Sequence, residues 1–128
     1  WFNSNFYKDW GYGLVYPQIF DTHKRRSEEA QAATLERARE RARTWLKVLN
    51  DSLLGPGNDY LCGSAITIAD YHAVSYVALA EVIGSDLAAY PNVKAWLGRM
   101  KSLKSWPKVW SVIDGYAESL KTKPMVSV

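Results

Sequence analysis

Leu35, Ala38, Ala42, Trp45, Leu49 and Leu53 recur at threes and fours, with Arg37, Glu40, Arg41, Lys47 and Asn50 between them. That spacing predicts a long amphipathic helix whose apolar stripe faces a core. Ser27 supplies its N-cap, and Glu28 and Glu29 stand in the first turn, where the helix dipole favours negative charge. Its arrest is written in Gly55-Pro56-Gly57, since glycine supplies left-handed geometry and proline forbids continuation. A second pattern starts at Thr67: Ile68, Ala69, Tyr71, Ala73, Val74, Tyr76 to Ala80, Val82 and Ile83 leave almost no polar face, which predicts a central, buried helix. Gly84 is its natural C-terminal cap, and Asp86 to Ala89 read as a short link. Pro91 opens a further helix with Val93, Trp96, Leu97 and Met100 inward, and Pro107 marks another with Val109, Trp110, Ile113, Tyr116 and Leu120 at helical spacing. No alternating strand of useful length appears, and Lys121 to Val128 reads as a frayed tail or a passage toward another surface. The fold class is all-α, a bundle of four to six helices around the one starting at Thr67.

The entry to that central helix is specified by Ser64-Ala65-Ile66-Thr67-Ile68-Ala69-Asp70. The Thr67 hydroxyl is placed to accept the backbone N–H of Asp70, and the Asp70 carboxylate to reach back to the N–H of Thr67, which makes a capping box with Asp in the place of Glu. Ile66 and Tyr71 are placed to staple the same turn. Structural capping therefore accounts for Thr67 and Asp70 better than any catalytic role. At the amino end, Trp1 to Phe20 holds eight of the 17 aromatics. Phe2, Phe6 and Trp10 share one helix face and Asn3 and Tyr7 the neighbouring stripe, while Gly11, Gly13 and Pro17 predict a short helix with an irregular continuation.

Composition changes little in this picture. At 128 residues, 48% hydrophobic and 23% charged, the chain suits one domain with one core. The net charge of +3 comes from interleaved residues of both signs, so nucleic acid is not an expected partner. One cysteine, Cys62, excludes an internal disulfide and a multi-cysteine metal site. No apolar run approaches the ~20 residues that span a bilayer, so no membrane association is expected. His23 and His72 lack metal-ligand spacing, and no metal site is expected. The run His23-Lys24-Arg25-Arg26 reads first as a solvated turn and second as an anion patch. The chain opens on Trp1, which points to a longer polypeptide.

The block Tyr60-Leu61-Cys62-Gly63-Ser64-Ala65-Ile66-Thr67-Ile68-Ala69-Asp70 resembles the F-L-x-G-x-x-x-[ST]-x-A-D signature of the C-terminal helical domain of glutathione transferases. Tyr90-Pro91-Asn92-Val93-Lys94-Ala95-Trp96-Leu97-Gly98-Arg99-Met100 is similar to a second element of that family, YPN-x-x-x-W-x-x-R-M, at the expected distance. The resemblance covers residues from about 6 to about 120, so residues 1–120 are expected to form this domain and 121–128 a tail. It implies a thioredoxin-like domain outside this chain that binds glutathione, the co-substrate, and carries the activating Ser, Tyr or Cys. No catalytic residue is then expected here, and none is assigned to glutathione.

The resemblance further implies that the helical domain contributes the wall for an apolar electrophile, chiefly from its first helix, and part of a homodimer interface. The glycine-interrupted aromatic cluster agrees, since large rings give apolar surface with little shape specificity. Phe6, Tyr7, Trp10 and Tyr12 are the expected substrate wall, in an apolar recess beside the bundle, with core packing as the competing role for the same rings. Trp45, Trp96 and Trp110 are expected in the core. The implied activity is conjugation of glutathione to apolar electrophiles, or their reduction, in the cytoplasm. The alternative is a non-catalytic interaction domain of a translation-associated protein, which the same resemblance also admits.

Overall fold

Five helices and no strand make up the computed structural model, which describes residues 1–128. The first, α1, is a single helical path over 2–19 built from Phe2–Phe6, Lys8–Val15 and Tyr16–Ile19. Its first two parts bond i to i+5, and only the last is a regular α-turn with Pro17 near its start. The segment expected to turn irregular at its glycines is therefore helical throughout, with widened turns. After a 3-10 turn at Asp21–His23, α2 runs from Glu28 to Val48 and widens at Leu49–Leu53. The Oγ of Ser27 caps it by accepting the N–H of Ala30 at 3.2 Å.

Helix α3 spans Ile68–Val77 and tightens into a 3-10 turn at Ala78–Ala80. Its predicted capping box forms. The Asp70 carboxylate accepts the N–H of Thr67 at 2.8 Å and its hydroxyl at 3.0 Å, while the Thr67 oxygen accepts the N–H of Ala69 at 3.3 Å. Burial is less uniform than the sequence pattern implied. Ala73, Val74 and Val77 to Ala80 are inside, whereas Ile68 is 85% exposed and Tyr71, expected to staple the turn, is also exposed. The central helix is thus buried along one face through Ala73 and Val74 and all round only from Val77 to Ala80.

Helices α4 (Pro91–Lys101) and α5 (Trp106–Leu120) complete the bundle. The start of α4 is capped from a different helix: buried Asn50 accepts the N–H groups of Asn92 at 2.9 Å and Val93 at 3.3 Å. This answers donors that a helix start leaves without partners. Gly57 and Gly84 take positive φ at their turns, but Gly84 is not the cap of α3, which has already ended at Val77 and its 3-10 turn at Ala80.

Twenty-five side chains form one core, including Phe6, Trp10, Leu14, Leu46, Val77, Val93, Trp96 and Met100. Trp96 and Trp110 are in it, as expected; Trp45 is half-buried at the edge and points its indole N–H at Asp9, 2.7 Å away. Leu46, one position on, fills the interior in its stead. The final residues do not fray. The Gln18 side chain clamps Val126, donating to its carbonyl at 3.1 Å and accepting its N–H at 2.6 Å, and Val128 donates to the Ser85 hydroxyl at 3.1 Å.

Candidate functional site on the first helix

Widened turns bring positions five and nine apart to one side of α1. Tyr7 lies against Tyr12 with ring centroids 5.2 Å apart, and its hydroxyl is 2.7 Å from that of Tyr16. Tyr7 also stacks on Tyr76 of α3 at 4.1 Å. Gly11 makes room for this arrangement, since a β-carbon there would stand 2.5 Å from the Tyr7 ring. Tyr12 continues toward Tyr16 and His23, at 5.3 and 5.7 Å. The result is a strip of phenol rings along the outer side of α1, with Tyr12 51% exposed and Tyr7 and Tyr16 partly so.

The chemistry of that strip is donation. Burial, the hydrogen bond with Tyr16 and the phenols of Tyr16 and Tyr12 all push the Tyr7 hydroxyl above its ordinary pKa. Tyr7 therefore keeps its proton at physiological pH. The Tyr7 and Tyr16 oxygens share one hydrogen bond between them, which leaves a second O–H free to donate outward.

Of the four expected wall residues, the structure brings Tyr7 and Tyr12 together and separates them from the other two. Phe6 and Trp10 have no accessible surface, stack on each other at 5.6 Å, and belong to the core. Trp10 spends its indole N–H on the carbonyl of Tyr76 at 2.8 Å, which ties α1 to α3. This corrects their assignment as ligand wall. The reason is physical: Phe6, Trp10 and Leu14 form the most apolar stripe of α1, and the bundle covers that stripe first. Nor is there an apolar recess beside them. The cleft that borders α1 lies between α1 and α2 and has polar walls, and of the four residues only Tyr12 lines it. Tyr16 and Tyr76 join this strip without a signal in the spacing, because the widened turns of α1 depart from 3.6 residues per turn and because Tyr76 sits on α3, whose pattern is that of a core helix. Thr67 and Asp70 stand far from this strip in role, as helix caps joined to the core through Trp96.

The family model for the C-terminal domain of glutathione S-transferase matches residues 14–104, most of the chain. This chain belongs to that family. Its five-helix, strand-free architecture agrees with a glutathione S-transferase C-terminal domain. One relative is Glutathione S-transferase D7 of Drosophila melanogaster, 35% identical over 65 residues, a stretch that is 51% of this chain and 26% of that protein. The chain thus aligns with about a quarter of its relative. No solved structure matches. No helix of this domain is long and apolar enough to cross a membrane, and no group of His, Cys, Asp and Glu side chains is arranged to hold a metal ion.

Proposed function

We propose that this glutathione S-transferase domain is the electrophile-binding, dimer-forming half of a cytoplasmic enzyme that joins glutathione to apolar electrophiles or reduces them. The observation that carries this reading is the phenol strip: Tyr7, Tyr12 and Tyr16 offer aromatic surface together with hydroxyl donors, and the Tyr7 hydroxyl is held above its ordinary pKa. Rings of this kind hold a flat apolar molecule by stacking, and an O–H at their edge stabilises negative charge that grows on the electrophile when a thiolate attacks. The thiolate itself would be generated on the thioredoxin-like domain, where a hydroxyl or thiol favours the ionised sulfur. This domain's part is to hold the electrophile within reach of it. A translation-associated interaction domain draws no support from the relative or from the strip.

The experiment uses the full-length protein. It is expected to be retained on glutathione-agarose, to sediment as a dimer and to conjugate a chlorodinitrobenzene. Tyr12→Ala is expected to raise KM for the aryl halide about fivefold, the effect of losing roughly 1 kcal/mol of ring contact, with KM for glutathione unchanged. Tyr7→Phe is expected to lower kcat more than it raises KM, because a hydrogen bond to developing charge acts in the transition state. No retention and no turnover overturns the enzymatic reading; turnover indifferent to both substitutions overturns the assignment of the strip.

A further inference from the structure

Lys24, Arg25 and Arg26 stand directly before Ser27, and all of these side chains are exposed. Exposure continues without a break to Ala30, the longest such run in the chain. Nothing from Lys24 to Thr34 is buried, and Leu35 is the first side chain of this segment to enter the core. The backbone is extended at Lys24 (φ −65°, ψ 148°) and at Ser27 (φ −126°, ψ 158°), and α2 begins only at Glu28. A row of cations and one hydroxyl therefore project from a length of chain that contributes nothing to the core.

These charges are not consumed locally. Lys24 meets Asp21 at 2.6 Å, a contact between two exposed side chains that contributes little. Arg25 and Arg26 make no ion pair, and the Arg25 guanidinium donates to a neutral partner, the Thr34 hydroxyl, at 3.3 Å. The ties that hold the run are few: the Arg25 N–H on the Gln31 side chain at 2.9 Å, and the Ser27 Oγ accepting the Ala30 N–H at 3.2 Å. Both are exposed, so this segment opens without breaking buried contacts.

Other hydroxyls offer no equivalent. Thr44 follows Arg41 and Arg43, and Ser102 follows Arg99 and Lys101, each with a gap in its row of cations. Thr44 lies inside α2 and donates its hydroxyl to the Glu40 carbonyl at 3.1 Å, while Ser102 ends α4 with its hydroxyl on the Arg99 carbonyl at 2.7 Å. Helical backbone turns successive side chains about 100° apart around an axis, whereas extended backbone lays them along a line. Ser27 alone joins an unbroken row of cations to extended, exposed chain.

An enzyme that modifies a protein side chain takes the acceptor as an extended segment and selects it by the charges beside it. We propose that Ser27 is a phosphorylation site for a serine kinase with an acidic substrate groove, which Lys24, Arg25 and Arg26 engage. In the transfer the Ser27 Oγ bonds to the terminal phosphorus of ATP as the bond from that phosphorus to the bridging oxygen breaks. ADP leaves with the electron pair, and the hydroxyl proton passes to the kinase's own base. The product carries about −2 charge in place of a neutral hydroxyl, which the preceding cations can meet with charge-assisted hydrogen bonds. Glu28 and Glu29 repel it, and the cations on the other side offset them. The site does not depend on the activity proposed above.

The test treats the folded full-length protein with ATP and the catalytic subunit of cyclic-AMP-dependent protein kinase, which selects basic residues before serine. Peptide mass spectrometry locates the product. One phosphate per chain is expected, on Ser27. Lys24→Gln and Arg25→Gln are each expected to lower kcat/KM for phosphorylation about tenfold, as loss of one interfacial charge partner does. Lys108→Gln, on exposed α5, is expected to leave it unchanged. Ser27→Asn keeps a capping side chain but has no hydroxyl, so it is expected to take up no phosphate and to unfold at the parent's Tm. Phosphate on Thr44 or Ser102 in place of Ser27 overturns the assignment. So do labelling only after heat denaturation, rates in K24Q and R25Q equal to the parent's, or undiminished uptake by S27N.

Discussion

Asp70 has no exposed surface, yet its carboxylate serves four donors: the backbone N–H of Leu61 at 2.9 Å, the N–H and hydroxyl of Thr67, and the Trp96 indole at 2.9 Å. Burial alone would raise its pKa, but the hydrogen bonds outweigh burial and hold it below the ordinary aspartate value. The folded pKa therefore lies under the unfolded one. The resulting stability is complete above the unfolded value of about 3.9 and is lost as pH falls through the folded value. Asp70→Asn turns a donating NH2 toward groups that are themselves donors. It is expected to cost about 2–4 kcal/mol at pH 7, and the gap to the parent should close in acid. Urea unfolding at a series of pH values checks this; parallel stability curves down to pH 2 would refute it. The residue that looked like a plain cap in the sequence is also the tie between α3, α4 and the loop at Leu61, because one of its oxygens is free to serve partners the capping pattern does not encode.

Packing of α1 on α2 turns on Gly13, where a β-carbon would stand 2.9 Å from the β-carbon of Ala38. Gly13→Ala is expected to destabilise by about 1–3 kcal/mol through that overlap, despite the better helix propensity of alanine. Adding Ala38→Gly should recover part of the loss. Chemical denaturation of the two single variants and the double variant measures the coupling, and strict additivity would show that the helices do not meet there. The element level is also where the sequence was most and least informative. The stripe of α2 and the Ser27 and Thr67 caps were legible because each is a local pattern acting on its own helix, whereas the helix expected to run to a cap at Gly84 stops at Val77 and its 3-10 turn at Ala80. The face of α1 was not, because i to i+5 bonding moves Tyr7, Tyr12 and Tyr16 onto one side, and nothing in the spacing of hydrophobic residues announces a widened turn. The expected ligand wall failed at Phe6 and Trp10 for a related reason: periodicity identifies the apolar stripe, and the bundle claims that stripe before any ligand does.

On the scale of the molecule, contacts distant in sequence decide what α1 can present. Its inner stripe is fixed by Trp10 on the Tyr76 carbonyl, and its end is fixed by Gln18, whose amide pairs with both backbone groups of Val126, 108 residues away. Met125, Val126 and Val128 lie against the core, so the chain's last residues act as a strap from α1 across to Ser85. Tyr116 adds a second tie, donating its hydroxyl to the Ile19 carbonyl at 3.1 Å. None of these partners follows from local spacing, so the sequence alone leaves the tail either frayed or passing toward another surface. If the strap holds the phenol strip in place, Gln18→Ala should cost about 1–2 kcal/mol, lowering Tm by about 3–6 °C for a domain of this size. Amide exchange should quicken at Val126 and Val128 and, through the loosened end of α1, at Tyr16 to Ile19, while α4 keeps its protection. Faster exchange confined to the last three residues would mean that the tail merely rests on the bundle. Acceleration that reaches Tyr16 would mean that the tail helps to set the position of the rings on which electrophile binding is proposed to depend.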